Sequence, residues 1–227
     1  VHHYSVAGLE YFGCTVYAEY FLLTGSVDES IDTEYGYQCG IQFVCVDRIK
    51  GRGDNITEQS SVAAWSAVLP SDPKIANFTF LGTTGDEVFR SNSGSIGQLL
   101  NGVIVYENAC FAWDASAGDG DDTSFGGVGV DPSFSSVQAD CGTNGAGLTD
   151  SDPETVAAVE AAAAAPNSTF NTAAPLVNTL ISTFINGSTE TAATATDLTA
   201  VDPFFEDTDY IGAVENANDT WWQGWTC

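Results

Sequence analysis

The sequence predicts an all-β solenoid, a chain of 227 residues wound into stacked turns. Three observations carry that expectation. A phrase beginning Gly8-Leu9-Glu10-Tyr11-Phe12-Gly13 and running into the strand-like Thr15–Leu23 is answered by Ser30-Ile31-Asp32-Thr33-Glu34-Tyr35-Gly36 and then Ile41–Val46. The offset between the two copies is about one solenoid rung, within the ~20–50 residue periods of repeat architectures. Hydrophobic residues make up 44% of the chain and charged ones 16%, a balance that excludes wholesale disorder.

Taken in order, the elements follow the same rhythm. Nothing before Gly8 resembles a cap, so the chain is expected to lack its N-terminal rungs, or to have this end covered by a neighbouring molecule. Thr15–Leu23 is β-branched and aromatic; strict alternation places Val16, Ala18, Tyr20 and Leu22 on one face and Tyr17, Glu19, Phe21 and Leu23 on the other. Thr24-Gly25 ends it, residues 27–32 turn the corner, and Ile41–Val46 lies over its predecessor. Residues 47–74 read as a loop excursion holding four of the five basic residues, Arg48, Lys50, Arg52 and Lys74, together with the tripeptide Arg52-Gly53-Asp54. Stacking resumes at Lys74–Thr83 and again at Gln98–Tyr106, with Glu87-Val88-Phe89-Arg90 in the place of the earlier Gly-Leu-Glu-Tyr phrase. Residues 142–200 read as an insertion. Asp152 at N-cap, Pro153 at N1, Glu154 in the first turn and alanines up to Pro166 predict one helix over 152–165. Leu176–Ile185 is ambiguous between helix and strand, and Asn186–Thr199 reads as a linker.

Composition places the chain outside the cell. Thirty-one acidic against five basic residues give a formal net charge of −26, which repels nucleic acid, anionic lipid and acidic polysaccharide and attracts divalent cations or basic partners. Six cysteines and no methionine suit a processed chain in an oxidising space. No run approaches the ~18 apolar residues of a membrane span. Five sequons, at Asn55, Asn77, Asn167, Asn186 and Asn218, keep glycosylation open if the source is eukaryotic.

The phrases Gly8–Gly13, Ser30-Ile31-Asp32 and Pro73–Thr79, with the ending Phe204-Phe205, Asp209–Ala213 and Trp222–Thr226, resemble a group of secreted or surface right-handed parallel β-helix proteins of marine and other aquatic microbes. The resemblance covers nearly the whole chain, least at residues 47–70 and 142–200. It implies a single right-handed parallel β-helix domain over 1–227, with further rungs ahead of this region, and says little about activity.

Candidate chemistry is sparse. Cys14 and Cys39 precede equivalent strands one rung apart, close enough for a disulfide. Cys110 and Cys141 flank a Gly/Asp-rich loop and form a second expected bridge. Cys45 and Cys227 are left over, to pair with each other, with another molecule, or to stay free. Two acidic groups suit Ca²⁺ as the one candidate cofactor: Asp114, Asp119, Asp121 and Asp122 in the loop, and Glu10, Glu29, Asp32 and Glu34 near one corner of successive rungs. A solvated acidic face is the simpler reading of both. Five basic residues argue against a uronate lyase, and the abundance of carboxylates makes any one pair uninformative for a hydrolase. Trp221, Trp222 and Trp225 could form a sugar-stacking platform, but are more simply expected to plug the end of the solenoid interior.

The sequence therefore favours an extracellular or cell-surface structural protein without catalysis. Its expected state is a homo-oligomer or polymer built by end-to-end contacts into a filament, sheath or layer. A carbohydrate-binding or carbohydrate-active surface protein, with polysaccharide as partner, is the alternative. A calcium-dependent adhesin using the 47–74 loop is the third.

Overall fold

The structure, a computed structural model, describes residues 7–13, 16–48, 53–61, 70–83, 85–92, 94–113, 132–142, 166–171 and 179–224. The strands in these residues are β1 (Leu9–Phe12), β2 (Ala18–Thr24), β3 (Ile31–Glu34), β4 (Gly40–Arg48), β5 (Thr57–Ser60), β6 (Lys74–Gly82), β7 (Phe89–Asn92), β8 (Gln98–Tyr106), β9 (Phe111–Trp113), β10 (Ser133–Asp140) and β11 (Thr169–Asn171). Short strands form a five-stranded sheet, β1-β3-β5-β7-β9, and the others a six-stranded sheet, β11-β10-β8-β6-β4-β2. Pairing between these strands is parallel throughout. Through β10 the chain visits the two sheets in turn, each coil giving one short strand and one long one. This is the predicted parallel β-helix. Residues 47–74 are not wholly an excursion, because Thr57–Ser60 supplies a rung that pairs with both β3 and β7.

The long strands bend at one column of residues. Tyr20, Phe43, Asn77, Asn101 and Ser136 have φ of 63°, 57°, 46°, 48° and 55°. Their neighbours pair in register: Glu19 with Gln42 and Phe21 with Val44, then Gln42 with Ala76 and Val44 with Phe78, and so on to Ser135 and Val137. A left-handed residue in mid-strand turns the backbone and breaks the two-residue alternation of faces. In β4, Ile41, Val44 and Val46 join the interior cluster, while Gln42 and Cys45 face outward. The alternation expected across residues 16–23 is corrected in the same way: Ala18, Phe21 and Leu23 belong to the interior and Leu22 to the outside.

Columns of apolar side chains fill the interior. Ile41, Ile75, Leu99 and Phe134 form one; Val44, Phe78, Gly102 and Val137 form the next. Gly102 makes room for a ring, since a Cβ there would lie 1.9 Å from Phe78 Cζ. Towards the last coils the filling is aromatic, with Phe111 centred 4.9 Å from Phe134 and 5.1 Å from Phe170. Cys110 and Cys141 are bonded with a Cα–Cα distance of 5.5 Å, as expected. Cys39 is disulfide-bonded; Cys14, its expected partner, and Cys227 lie outside the described residues. Cys45 is a free thiol buried between β4 and the C-terminal segment.

Residues 179–224 form a strap laid along the outside of the bend. It holds a short helix α1 (Ser188–Ala192) and a 3₁₀ turn η1 (Leu198–Ala200). Glu190, fully buried, accepts hydrogen bonds from the backbone N–H groups of Gly187 and Thr179 and from the Thr179 hydroxyl. Leu198 and Phe205 pack on Ala76 and Leu100. Residues 186–199 are thus no linker, and residues 179–185 form a turn closed by Ile181 N–H to Ile185 O at 2.9 Å. Trp221 and Trp222 pack with Leu22, Leu81 and Phe184 on the outside of the coils, correcting the expectation that they plug the interior. The helix expected over 152–165, and Trp225, lie outside the described residues.

Side-chain amides in the coils serve as partners for the strap's backbone. Gln42 donates to Glu206 O at 2.8 Å and accepts from Glu206 N–H at 2.9 Å. Asn101 does the same with Thr196, at 3.0 and 2.8 Å. Asn77 donates to Thr208 Oγ1 and lies within reach of the Tyr210 and Gly212 carbonyls, and it accepts from Gln42. Three sequons are therefore corrected: Asn77 and Asn186 are buried and bonded to the strap, and Asn55 is buried beside Glu58. Asn167 and Asn218 are exposed. Asn77→Ala removes the amide, strands Gln42, and puts a Cβ-bearing residue without local hydrogen bonding at φ 46°. It is expected to destabilise by about 2–3 kcal/mol, and Asn77→Gly by less, because glycine keeps the bend; urea unfolding of the two variants measures the difference.

Candidate functional site

The outer face of the five-stranded sheet is an ascending column of charged side chains. Register stacks Glu10 on Asp32, Asp32 on Glu58 and Glu58 on Arg90, with adjacent strands ~4.8 Å apart. The inner face of the same strands carries Leu9, Ile31, Thr57, Phe89 and Phe111; their burial fixes the alternation and so turns the acidic set outward. Glu34 lies beside the column, two residues beyond Asp32 in β3.

These carboxylates do not share one environment. Burial, reinforced by the charges of Glu34, Glu58, Glu10 and Asp28, pushes Asp32 up to about 7. Its Oδ1 is buried with no hydrogen-bond donor, so the neutral acid is the comfortable form. Burial and the charges of Glu58 and Glu10 also raise Glu34. Glu58, by contrast, is held by two amides: Asn92 Nδ2 donates to one oxygen at 2.9 Å and Asn55 Nδ2 to the other at 3.4 Å. A proton-holding acid thus sits one strand spacing from a carboxylate fixed by donors. An acid pushed up by burial beside a carboxylate held by donors is the equipment of general acid–base chemistry.

Beside the column, at the corner leading into β3, an oxygen from each of Asp28, Glu29 and Asp54 lies within 4.8 Å of the others. Among the described residues this is the group able to hold a metal ion. Arg48 competes for the place. Its guanidinium is buried, donates from Nη2 to Asp28 O at 3.0 Å, and acts electrostatically on Asp54 and Glu29. Burial, helped by a hydrogen bond with Asp28 and the charges of Asp28 and Glu58, pushes Glu29 up to about 8. A hydrogen bond shared with Asp86, then burial, pushes Asp54 up to about 6. The buried Arg48 guanidinium thus supplies positive charge to this corner.

Of the expected site residues, Glu10, Asp32 and Glu34 come together on one face, and Glu29 lies at the corner below. Glu58, Asp28 and Asp54 join them and were missed. The signal for Glu58 was the alternation of Thr57-Glu58-Gln59, hidden inside a stretch read as a loop. Asp114, Asp119, Asp121 and Asp122 lie outside the described residues. The Asp54 carboxyl of the adhesion-like tripeptide shares a hydrogen bond with Asp86, and Arg52 of the same tripeptide lies outside the described residues.

Against known proteins, a family model described as a pectate-lyase-like β-helix domain matches residues 1–226. No curated protein and no solved structure matches the chain.

Proposed function

Since the chain belongs to the family of pectate-lyase-like β-helix domains, we propose that it is an extracellular domain acting on carbohydrate, with the carboxylate column of the five-stranded sheet as its working face. The observation that carries this reading is the stacking of Asp32, whose Oδ1 is buried without a donor and whose neutral acid burial favours, on Glu58, held as an acceptor by the Asn92 and Asn55 amides. Asp32 is positioned to give a proton to a departing glycosidic oxygen, and Glu58 or Glu10 to assist from one strand away. An uncharged or amine-bearing glycan suits a surface of net charge −26; an acidic one is repelled. The Cys110–Cys141 bridge supports a location where disulfides persist.

The filament, sheath or layer expected from the sequence has no supporting observation among the described residues, so the structural role gives way to this one. The test is reducing-end release from a panel of neutral and amine-bearing polysaccharides. Turnover is expected to fall by at least about a hundredfold in Asp32→Asn. No release from any of them, or an Asp32→Asn variant as active as the parent, overturns the assignment.

A further inference from the structure

The bend column changes character along the axis of the coils. At β6, β8 and β10 its residues are Asn77, Asn101 and Ser136, small polar groups whose side chains hold the strap. At β2 and β4 they are Tyr20 and Phe43, with rings stacked 4.8 Å apart at 15°. Asn tolerates a left-handed backbone, whereas an aromatic residue there is an outlier. Such outliers gather where a site needs the side chain rather than the backbone preference. Tyr20 is 39% exposed, and the Trp221 ring meets its edge at 5.4 Å.

These rings line a cleft of about 660 Å³ between the coils and the strap. Its remaining lining includes Glu206, Asp207, Asp209, Glu215 and Asp219, and, among the described residues, no Lys or Arg. A second cleft of about 360 Å³ shares Asp207, Thr208 and Asp209 with the first and is also lined by Asp197, again without a basic residue among the described ones. Asp207, Thr208 and Asp209 thus line both clefts, and the rings of Tyr20, Phe43 and Trp221 line the first. The crowding is felt by the rings themselves: burial and then the charges of Glu206, Glu19 and Asp219 raise the Tyr20 phenol.

We propose that this groove binds protonated amines presented along an extended chain, with an amino-sugar polymer as the occupant. Each component of the groove answers one part of that ligand. The face of Tyr20 stacks on a sugar ring and attracts a cation by its quadrupole. The carboxylates, all of one sign in a concave wall, concentrate positive charge. A cleft of about 660 Å³ accommodates more than a single sugar unit. The groove lies on the bend of the long strands and the carboxylate column on the short-strand sheet, so this site stands apart from the catalytic reading.

Calorimetric titration of the full chain with a glucosamine hexamer at low salt tests it, alongside the N-acetylated hexamer and spermidine. The glucosamine hexamer is expected to bind at least about tenfold more tightly than either. Tyr20→Asn puts at β2 the residue already used at the bend of β6 and β8, so it keeps the fold while removing the ring. It is expected to weaken binding about tenfold with no fall in melting temperature, as is the double variant Asp207→Asn/Asp209→Asn. Asp32→Asn should bind like the parent, which separates this groove from the catalytic face. Equal binding of the acetylated hexamer, spermidine binding as tightly as the glucosamine hexamer, or a folded Tyr20→Asn that binds undiminished overturns the proposal.

Discussion

Asp32→Asn is expected to raise the melting temperature at pH 8 while it removes turnover. In the folded chain Asp32 is pushed from its ordinary 3.8 up to about 7. Between those values the folded protein keeps a proton that the unfolded chain has lost. The stabilisation is therefore complete below about pH 4, declines as pH rises, and is gone above about 7. Glu29, raised from 4.5 to about 8, and Asp54, raised from 3.8 to about 6, act with the same sign. The parent should be most stable near pH 4 and lose stability up to about pH 8. Discounted for partial solvent access, Asp32 accounts for roughly 2 kcal/mol of that loss, or about 4–8 °C for a chain of this size. Scanning calorimetry of parent and variant at pH 4.5 and 8 checks it: the variant should show the shallower fall. A variant less stable than the parent at pH 8 would mean that the buried oxygen is satisfied as a carboxylate. Gain in stability with loss of activity is the signature of a strained functional group.

The largest loss of stability is expected from Phe78→Ala. The ring is fully buried, centred 4.4 Å from Phe80, and fills the space that Gly102 leaves in the next coil. Removing it should cost about 3–5 kcal/mol and lower the melting temperature by roughly 10 °C or more. Gly102→Ala should cost about 1–3 kcal/mol in the parent, because the new methyl collides with the ring. In Phe78→Ala the same methyl has room and should cost far less. Denaturant unfolding of the two single variants and the double variant closes the cycle, and additive losses would show that the ring and the glycine are not matched.

The coils were legible in the sequence because burial on both faces writes itself into apolar, β-favouring runs at Ile41–Val46, Ile75–Phe80 and Leu99–Ile104. The bend between them was not, since its signal is a backbone preference. Asn77 and Asn101, each set in an otherwise apolar run, carried that signal and were read as a sequon and a strand residue. Tyr20, Phe43 and Ser136 carry none, and at Tyr20 strict alternation sent the outer half of β2 to the wrong face. The acidic face was half visible. Glu10, Asp32 and Glu34 share a phrase that repeats; Glu58 sits in a rung whose flanking loops hide the repeat. The strap was opaque because its partners are amides 95 and more residues away, a pairing no local pattern encodes.

The strap's mode of attachment has a consequence for how the coils come to lie in register. Gln42, Asn77, Asn101 and Ser136 belong to four different coils, yet all must present their side chains at the spacing of one stretch, Thr196 to Gly212. A coil slipped by a single residue would swing its polar side chain out of line and leave a strap group without its partner. Docking of the strap therefore reads all four coils at once, as a vernier reads a scale, and it can succeed only after they are wound. Contacts between residues so far apart in the chain close late in folding. The last segment of the β-helix to find its place is thus the one that ratifies the alignment of the rest.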